Sequence, residues 1–143
     1  MQVKIRKARK GDAPEIIPIW QEQYKRHFSE DWPAYRVRKK VLDYLKKSLV
    51  YVAVVEGKVV GFIVGSRMYW NEGYMGRIDE IFVSGGFQGK GVGTKLIEAV
   101  ESMYRKKGYK DVVLFTNRKF RAMDFYRKGG YRETGFIALE KKL

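Results

Sequence analysis

A strand-like segment that runs into a glycine-rich loop, and then into an amphipathic helix, constrains this chain more than any other feature. Residues 78–83 are largely apolar and β-branched, and residues 84–94 contain five glycines. A helix that begins directly after such a loop has several unpaired backbone N–H groups at the positive end of its dipole. The junction therefore predicts a binding site for a phosphate group.

Two common phosphate-binding patterns do not fit this loop. The nucleoside triphosphatase pattern requires four residues between its first glycine and a Gly-Lys-Ser/Thr triplet, and no window of the chain has that spacing. The dinucleotide pattern requires a third glycine where Thr94 stands, and no strand–helix–strand unit begins the chain. The sequence therefore argues against a nucleoside triphosphatase and against a dinucleotide-binding enzyme.

The loop instead has the pattern Gln-x-x-Gly-x-Gly, after a strand that carries two acidic residues. This pattern resembles the pyrophosphate loop of the GNAT family of N-acetyltransferases, which has Gln/Arg-x-x-Gly-x-Gly/Ala. The resemblance implies that acetyl-CoA is the co-substrate and that its pyrophosphate is bound by Gln88, Gly89, Lys90, Gly91, Val92, Gly93 and Thr94. A glycine-rich helix start without a ligand is the alternative.

Length and composition limit the other possibilities. With 143 residues the chain is expected to form one domain, residues 1–143. It has no cysteine, which excludes disulfides and thiolate chemistry, and its one histidine, His27, predicts no metal site. The sequence has no apolar run of membrane-spanning length and no apolar leader, so we expect no membrane association and a cytoplasmic location.

The formal net charge of +14 is the feature that most favours a different function. A strongly basic domain has the charge expected of a nucleic-acid-binding protein. The cations are nevertheless spread along the chain, and no zinc-finger, helix-turn-helix or RNP-like pattern accompanies them. We therefore favour a solvated basic surface that also suits a polyanionic cofactor, and nucleic acid stays open as a partner.

Hydrophobic periodicity predicts the element order β-α-α-β-β-β-α-β-α-β-β. The predicted elements are a strand at residues 3–5, a helix from 12 to 28 with a capping box of Asp12 and Glu15, a helix from 33, a hairpin of 49–55 and 58–64, a strand ending at 83, a helix ending near 107, a strand at 111–116, a helix at 120–128 and a closing hairpin of 131–133 and 136–141. The fold class is therefore α/β of the mixed α+β type, with a central, mostly antiparallel sheet flanked by helices. This order is similar to the GNAT acyl-CoA N-acyltransferase fold over essentially the whole chain.

The resemblance also implies where the cofactor would lie. In that family the fourth strand and the strand after the loop helix diverge, and the pantetheine arm enters between them. The backbone of Phe82 and Val83 would pair with the pantetheine amides like an added strand. Asn117 matches a family asparagine that contacts the pantetheine region, although it stands five residues before Ala122 where the family has three.

Acetyl transfer to an amine raises two proton-transfer problems, and three residues are candidates for solving them. An ammonium with a pKa of about 10.4 must lose a proton before it attacks, and the leaving thiolate must gain one. Tyr126 lies in a Phe-Tyr-x-x-x-Gly segment that resembles the family's general-acid segment, and a packed helix tyrosine is the alternative. Many family members have a carboxylate at the position of Asp79, our preferred base, and Glu80 is the second candidate, on the opposite face by strand alternation. An ion pair with Arg77 is the alternative role for Asp79.

The sequence does not identify the acceptor amine. Aromatic and acidic residues could enclose a cationic amine: Trp20, Tyr24, Phe28, Trp32, Tyr35, Tyr69, Trp70 and Tyr74, with Glu30, Asp31 and Glu72. Lysine side chains, protein N-termini, polyamines, aminoglycosides and small amines all stay open, as do longer acyl donors and the choice between monomer and homodimer. The hypothesis is an acetyl-CoA-dependent N-acetyltransferase that acts through a ternary complex. The alternative is a non-catalytic module of this fold that senses acyl-CoA or binds nucleic acid.

Overall fold

A five-stranded sheet forms the centre of the computed structural model, which describes all residues 1–143. In order across the sheet, the strands are β1 (Lys4–Lys7), β2 (Leu49–Val55), β3 (Lys58–Trp70), β4 (Gly73–Val83) and β5 (Val112–Leu114). The first four strands pair antiparallel, and β5 joins β4 in parallel. The predicted mixed fold class and the mostly antiparallel sheet are thus confirmed.

Helices cover both faces of this sheet. They are α1 (Ala13–Phe28), α2 (Ala34–Lys47), α3 (Val92–Lys106) and α4 (Ala122–Lys128), and single 3-10 turns occupy Lys10–Asp12 and Gly85–Phe87. The face under α1 and α2 buries Val52 and Phe62 around Trp20, whereas the face under α3 buries Ala53 and Ile63. Burial on both faces explains why β2 and β3 are almost continuously apolar. None of the helices has the length and apolarity that crossing a bilayer requires.

Tyr104 fixes the position of α3 on the sheet. A Cβ atom built at Gly65 would lie 2.2 Å from the Tyr104 hydroxyl oxygen, and one built at Gly76 would lie 2.3 Å from its ring. The same hydroxyl lies 2.8 Å from the carbonyl oxygens of Ser66 and Arg77. The ring therefore occupies space that only two glycines leave free, and its hydroxyl binds the backbone of β3 and β4.

The carboxyl end differs from the sequence-based prediction. The closing hairpin predicted at residues 131–133 and 136–141 is not formed, and no strand follows α4. Phe136, Ile137 and Leu139 are 80–89% exposed, so their apolar side chains contribute little to either core. A two-stranded hairpin is marginal in water without a packed face. The final two strands of the predicted order are therefore wrong for this structure.

The predicted capping box at the start of α1 is also wrong. The Asp12 carboxylate accepts two hydrogen bonds of 2.8 Å from the Arg6 guanidinium and one of 2.7 Å from the Arg9 N–H, but none from α1. Glu15 accepts a hydrogen bond of 2.9 Å from the backbone N–H of Val59. The two charge-assisted hydrogen bonds from the guanidinium are stronger than a cap and hold the pKa of Asp12 below its usual value. Both carboxylates thus tie α1 to the sheet.

Candidate active site

The sheet opens between β4 and β5. The parallel ladder joins Gly76–Ile78 to Val112–Leu114 and stops there, whereas β4 continues to Val83 with β3 as its only strand partner. Residues 79–83 therefore form an edge without a neighbouring strand. An unpaired edge can accept an extended chain as an added strand. Phe82 and Val83, predicted from the resemblance to contact pantetheine, both lie in this free edge.

A β-bulge lies at the start of the free edge. Val64 stands opposite Glu80 and Gly65 stands opposite Ile78, so Asp79 is an extra residue without a counterpart on β3. A bulge of this kind changes the alternation of side chains along the strand. Ile78 consequently packs on the α3 face, whereas Glu80 lies on the face covered by α1 and α2.

Glu80 is a largely buried carboxylate held by two tyrosines. The Tyr24 hydroxyl donates to Oε1 at 2.7 Å and the Tyr44 hydroxyl donates to Oε2 at 3.0 Å. Burial raises the pKa of Glu80, and the two hydrogen bonds oppose part of that rise. Burial also raises the pKa of both tyrosines, so they remain protonated donors. Each carboxylate oxygen keeps a lone pair for a further donor, which suits Glu80 to accept a proton.

Aromatic rings shield this carboxylate from water. The ring of Tyr24 stacks on Trp20 at a centroid distance of 4.9 Å and meets Phe82 edge-on at 5.3 Å. Phe28 and Trp32 lie 4.9 Å and 5.2 Å from Tyr24. Four of the aromatic residues predicted for an acceptor pocket are thus brought together next to Glu80.

The other residues predicted for the acceptor pocket are not part of this cluster. Tyr35 is 69% exposed on α2. Tyr69, Trp70 and Tyr74 lie at the tip of the β3–β4 hairpin, and Glu72 is in its turn. Of the two remaining acids, Glu30 accepts a hydrogen bond from the Trp32 indole and Asp31 pairs with Lys25. Glu30 thus remains at the edge of the aromatic cluster.

Asp79 is engaged in an ion pair. The Arg77 Nε–H lies 2.7 Å from Asp79 Oδ1 and 3.1 Å from the Ser66 hydroxyl oxygen. The ion pair that the sequence offered as the alternative to a catalytic role is therefore present. Asp79 Oδ2, in contrast, is buried without any hydrogen-bond partner. A buried acceptor without a donor is unfavourable, and this oxygen could accept a proton only if the surrounding groups moved to expose it.

The glycine-rich loop leaves the first amides of α3 free. Gly89 and Gly91 have φ angles of +73° and +83°, in the left-handed region that favours glycine, and no atom lies within 4 Å of a Cβ built at either. The first intrahelical hydrogen bond runs from Lys95 N–H to the Gly91 carbonyl, and no side chain caps the helix. The amides of residues 92–94 therefore have no hydrogen-bond partner at the positive end of α3. Val92 offers only its N–H, because its side chain is buried in the core.

Two of the predicted loop residues have structural roles. The Gln88 side-chain amide donates to the Val83 carbonyl at 2.9 Å and to Gln23 Oε1 at 3.1 Å, so it joins the loop to β4 and α1. A Cβ built at Gly93 would lie 3.1 Å from Phe125 Cζ, so this glycine allows α4 to pack closely on α3. The side chain of Gln88 is thus engaged by the protein although the residue is exposed, and its contribution to anion binding is the loop shape it supports.

Lys90 and Asn117 have exposed side chains near the opening. The Lys90 ammonium lies 5.8 Å from the centroid of the Phe87 ring. Asn117 follows β5 and forms a local turn, in which its Oδ1 accepts the Lys119 N–H at 2.9 Å and its carbonyl accepts the Phe120 N–H at 3.0 Å. Both residues are close in sequence to the edges that border the gap. No group of three or more histidine, aspartate or glutamate side chains is arranged to hold a metal ion.

Tyr126 lies on the opposite face of the sheet from Glu80. It belongs to α4 and packs against the α3 side of the core, with ring centroids 5.4 Å from Phe125 and 6.1 Å from Tyr131. Burial raises the pKa of Tyr126 to about 12, so the hydroxyl is protonated throughout the neutral range. The sheet thus has a candidate base on one face and a candidate acid on the other.

Gln23 and Tyr44 belong to the site although the sequence did not assign them to it. Gln23 is 1% exposed, and its Oε1 lies 3.0 Å from His27 Nε2 as well as accepting from Gln88. Because this oxygen is an acceptor, His27 donates through Nε2. The sequence could have indicated Gln23, because it places an amide on the buried face of α1 and a buried polar side chain requires hydrogen-bond partners. Tyr44 had no local signal, because its partner lies 36 residues away.

Comparisons with known proteins agree with this geometry. Residues 14–131 match the model of the Acetyltransferase (GNAT) family. The chain is 31% identical over 134 residues to an uncharacterized N-acetyltransferase of Archaeoglobus fulgidus. The aligned region covers 87% of this chain and 89% of that protein. The solved structure of a possible acetyltransferase from Clostridium difficile 630 superposes with a TM-score of 0.87 at 19% identity, covering 100% of this chain and 99% of that one. The ribosomal-protein-alanine N-acetyltransferase from Brucella melitensis biovar Abortus 2308 gives 0.83 at 20% identity, covering 100% of both chains.

Proposed function

The chain belongs to the GNAT acetyltransferase family, and from that membership we propose that it transfers the acetyl group of acetyl-CoA directly to a primary amine in a ternary complex. One observation carries the proposal. The free edge of β4 at residues 79–83 leads into the free amides of residues 92–94, and Glu80 and Tyr126 lie on its two faces.

The donor is proposed to bind along this edge. The amides of residues 92–94 and the Lys90 ammonium would hold the pyrophosphate, and the open space at Gly89 and Gly91 would admit it. The backbone of Phe82 and Val83 would pair with the pantetheine amides, as in β-strand addition. Asn117, three residues after β5, would border the same opening. A backbone N–H of residues 81–83 would polarise the thioester carbonyl.

Glu80 is proposed as the group that removes the proton from the amine. Deprotonating an amine with a pKa of about 10.4 costs about 4 to 5 kcal/mol at neutral pH. A carboxylate with a raised pKa is a better proton acceptor and therefore lowers the barrier. Glu80 has such a raised pKa, and both of its oxygens are fixed by tyrosines. Asp79 is the second candidate because its Oδ2 is buried without a partner. Its other oxygen is engaged by Arg77, which is why Glu80 is preferred.

Tyr126 is proposed to donate a proton to the departing thiolate. Its hydroxyl is protonated at neutral pH, and its position on the α3 face puts it on the side from which the loop would deliver the thioester. The amine would approach from the other face, where the partly exposed rings of Tyr24, Phe28 and Trp32 would stabilise a cation before deprotonation.

Isotope-labelled acetyl-CoA, incubated with the protein and an amine panel, tests this function. The panel contains a polyamine, an aminoglycoside, a lysine peptide and a peptide with an N-terminal alanine, the last because a structural neighbour is named for that residue. We expect labelled product by mass spectrometry, with equimolar thiol release, for at least one acceptor. Tyr126→Phe should lower turnover without changing the affinity for CoA. Tyr131 is a nearby tyrosine that is hydrogen-bonded to Glu101, and Tyr131→Phe should leave turnover unchanged. If no amine in the panel raises thiol release above that of the no-protein control, the proposal is contradicted.

A further inference from the structure

We propose that the end of the molecule remote from the glycine-rich loop carries a binding surface for single-stranded nucleic acid. β3 and β4 extend beyond the rest of the sheet there. β2 pairs with β3 only as far as Gly65, and β5 pairs with β4 only from Gly76. Residues 66–75 therefore form a two-stranded arm with both edges unpaired. We call this segment the arm.

The arm exposes three large aromatic side chains. Tyr69 is 75% exposed, Trp70 48% and Tyr74 41%. The Tyr69 and Tyr74 rings meet at a centroid distance of 5.0 Å, and the Arg67 guanidinium lies 4.0 Å from the Tyr74 centroid. These rings contribute to neither core cluster. Tyr69 and Tyr74 stand opposite each other and share one face of the arm, whereas Trp70 lies on the other face by strand alternation. Exposed aromatic residues that are grouped together, as Tyr69 and Tyr74 are, indicate an interaction surface.

A run of cations at the end of α3 lies beside the arm. Residues 105–110 contain Arg105, Lys106, Lys107 and Lys110 and no acid. Tyr109 within this run has its ring 6.0 Å from Tyr74 of the arm, which places the cations next to the exposed rings. The nearby acids are Glu72 in the hairpin turn, Asp111, and Glu101, which lies 4.0 Å from the Arg105 guanidinium. The balance of charge on this surface is therefore strongly positive.

Single-stranded nucleic acid is the partner that uses both features. Lysine and arginine neutralise phosphates, and unpaired bases stack on aromatic rings and on guanidinium planes. An acidic peptide would engage the cations but leave the exposed tyrosine rings unused, and a duplex would not offer its base faces. The net charge of +14 adds a long-range attraction for any polyanion, but it does not require exposed rings.

This surface is separate from the proposed transfer site. α3 has 15 residues, so its two ends are about 22 Å apart, with the free amides at one end and the cationic run at the other. The surface therefore needs neither the loop nor Glu80. Its occupation is expected to be independent of coenzyme A, and its test does not depend on acetyl transfer.

Fluorescence anisotropy of a labelled oligothymidylate strand, titrated with the full chain at several salt concentrations, tests the proposal. The double substitution Lys106→Glu with Lys107→Glu should reduce the magnitude of the slope of log K against log salt by about 1.4. This is the value expected for the loss of two phosphate contacts on a single strand. The matched control is Lys4→Glu with Lys58→Glu, which changes the net charge equally at the opposite end of the sheet, beside the β2–β3 turn, and should leave the slope nearly unchanged. Tyr69→Ala should weaken binding at least about fivefold, and Tyr69→Phe should restore it.

Five results would each overturn the proposal. The first four are the absence of saturable binding at low salt, equal losses in the two charge-reversal variants, full affinity in Tyr69→Ala, and displacement of the strand by saturating coenzyme A. Competition by polyglutamate as strong as that by unlabelled strand would also overturn it, since it would show that the rings are not used. Circular dichroism of each variant confirms that the fold is kept.

Discussion

Replacing Glu80 by Gln separates the catalytic role of this residue from its structural one. The substitution keeps the size of the side chain and removes its negative charge. Gln Oε1 can still accept a hydrogen bond from one tyrosine, and its amide can donate to the other hydroxyl oxygen. The packing of the aromatic cluster is therefore expected to survive, while proton abstraction is lost.

The expected loss of activity follows from the proposed role. A positioned general base contributes about 10²- to 10⁴-fold, so kcat/KM should fall by that factor, or about 3 to 5 kcal/mol of transition-state stabilisation. Stability should change in the opposite direction. Because the pKa of Glu80 is raised above its ordinary value of 4.5, its contribution to stability is fully present below that pH and is lost as pH rises through the folded pKa. The free energy of unfolding of Glu80→Gln at neutral pH should therefore equal or exceed that of the wild type.

Steady-state rates across pH and urea unfolding at pH 5 and 8 measure the two effects. Asp79→Asn is the comparison, because it removes a neighbouring carboxylate from the same strand. We expect the acidic limb of the wild-type rate profile to disappear in Glu80→Gln and to persist in Asp79→Asn. If Asp79→Asn loses activity while Glu80→Gln retains it, the base is Asp79. If Glu80→Gln is strongly destabilised, the carboxylate is structural and the reasoning from its burial is wrong.

Three further predictions follow from individual contacts. The pKa of about 12 for Tyr126 predicts wild-type turnover without an alkaline loss near pH 10, and a loss there in the pH–rate profile would exclude it as the acid. Asp12→Asn should lower the free energy of unfolding at neutral pH by about 1.5 to 3 kcal/mol in urea titrations. Because the pKa of Asp12 is lowered, this difference should vanish as pH falls below 3.8 through the folded pKa, and a constant difference would contradict the ion pair. Tyr104→Phe should cost about 1 to 2 kcal/mol in the same measurement, and no change would show that its hydroxyl bonds are replaced by water.

Much of the fold could be predicted because local patterns and tertiary packing agree. The apolar stripe of α3, with Leu96 and Val100 one turn apart, predicted both the helix and its buried face, and the structure buries both residues. The left-handed φ angles of Gly89 and Gly91 are those that a tight helix start after a strand requires.

The remaining differences have physical causes that a local pattern does not contain. The bulge at Asp79 depends on the pairing of β4 with β3, so alternation along one strand could not reveal it. Asp12 does not cap α1 because the guanidinium of Arg6, six residues away, is a stronger hydrogen-bond donor than a helix amide. Glu80 could be named as a candidate, but its two tyrosines lie 56 and 36 residues away in sequence, so its environment is purely tertiary.

Titration of coenzyme A into the protein by isothermal calorimetry tests the central claim most directly. The free edge of β4 and the open amides of α3 predict saturable binding at one site per chain. Gly91→Val should weaken that binding severely, because valine is strained at a φ of +83° and its side chain would occupy the space left for the phosphate. The absence of saturable heat in the wild type, or equal affinity in Gly91→Val, would contradict the account.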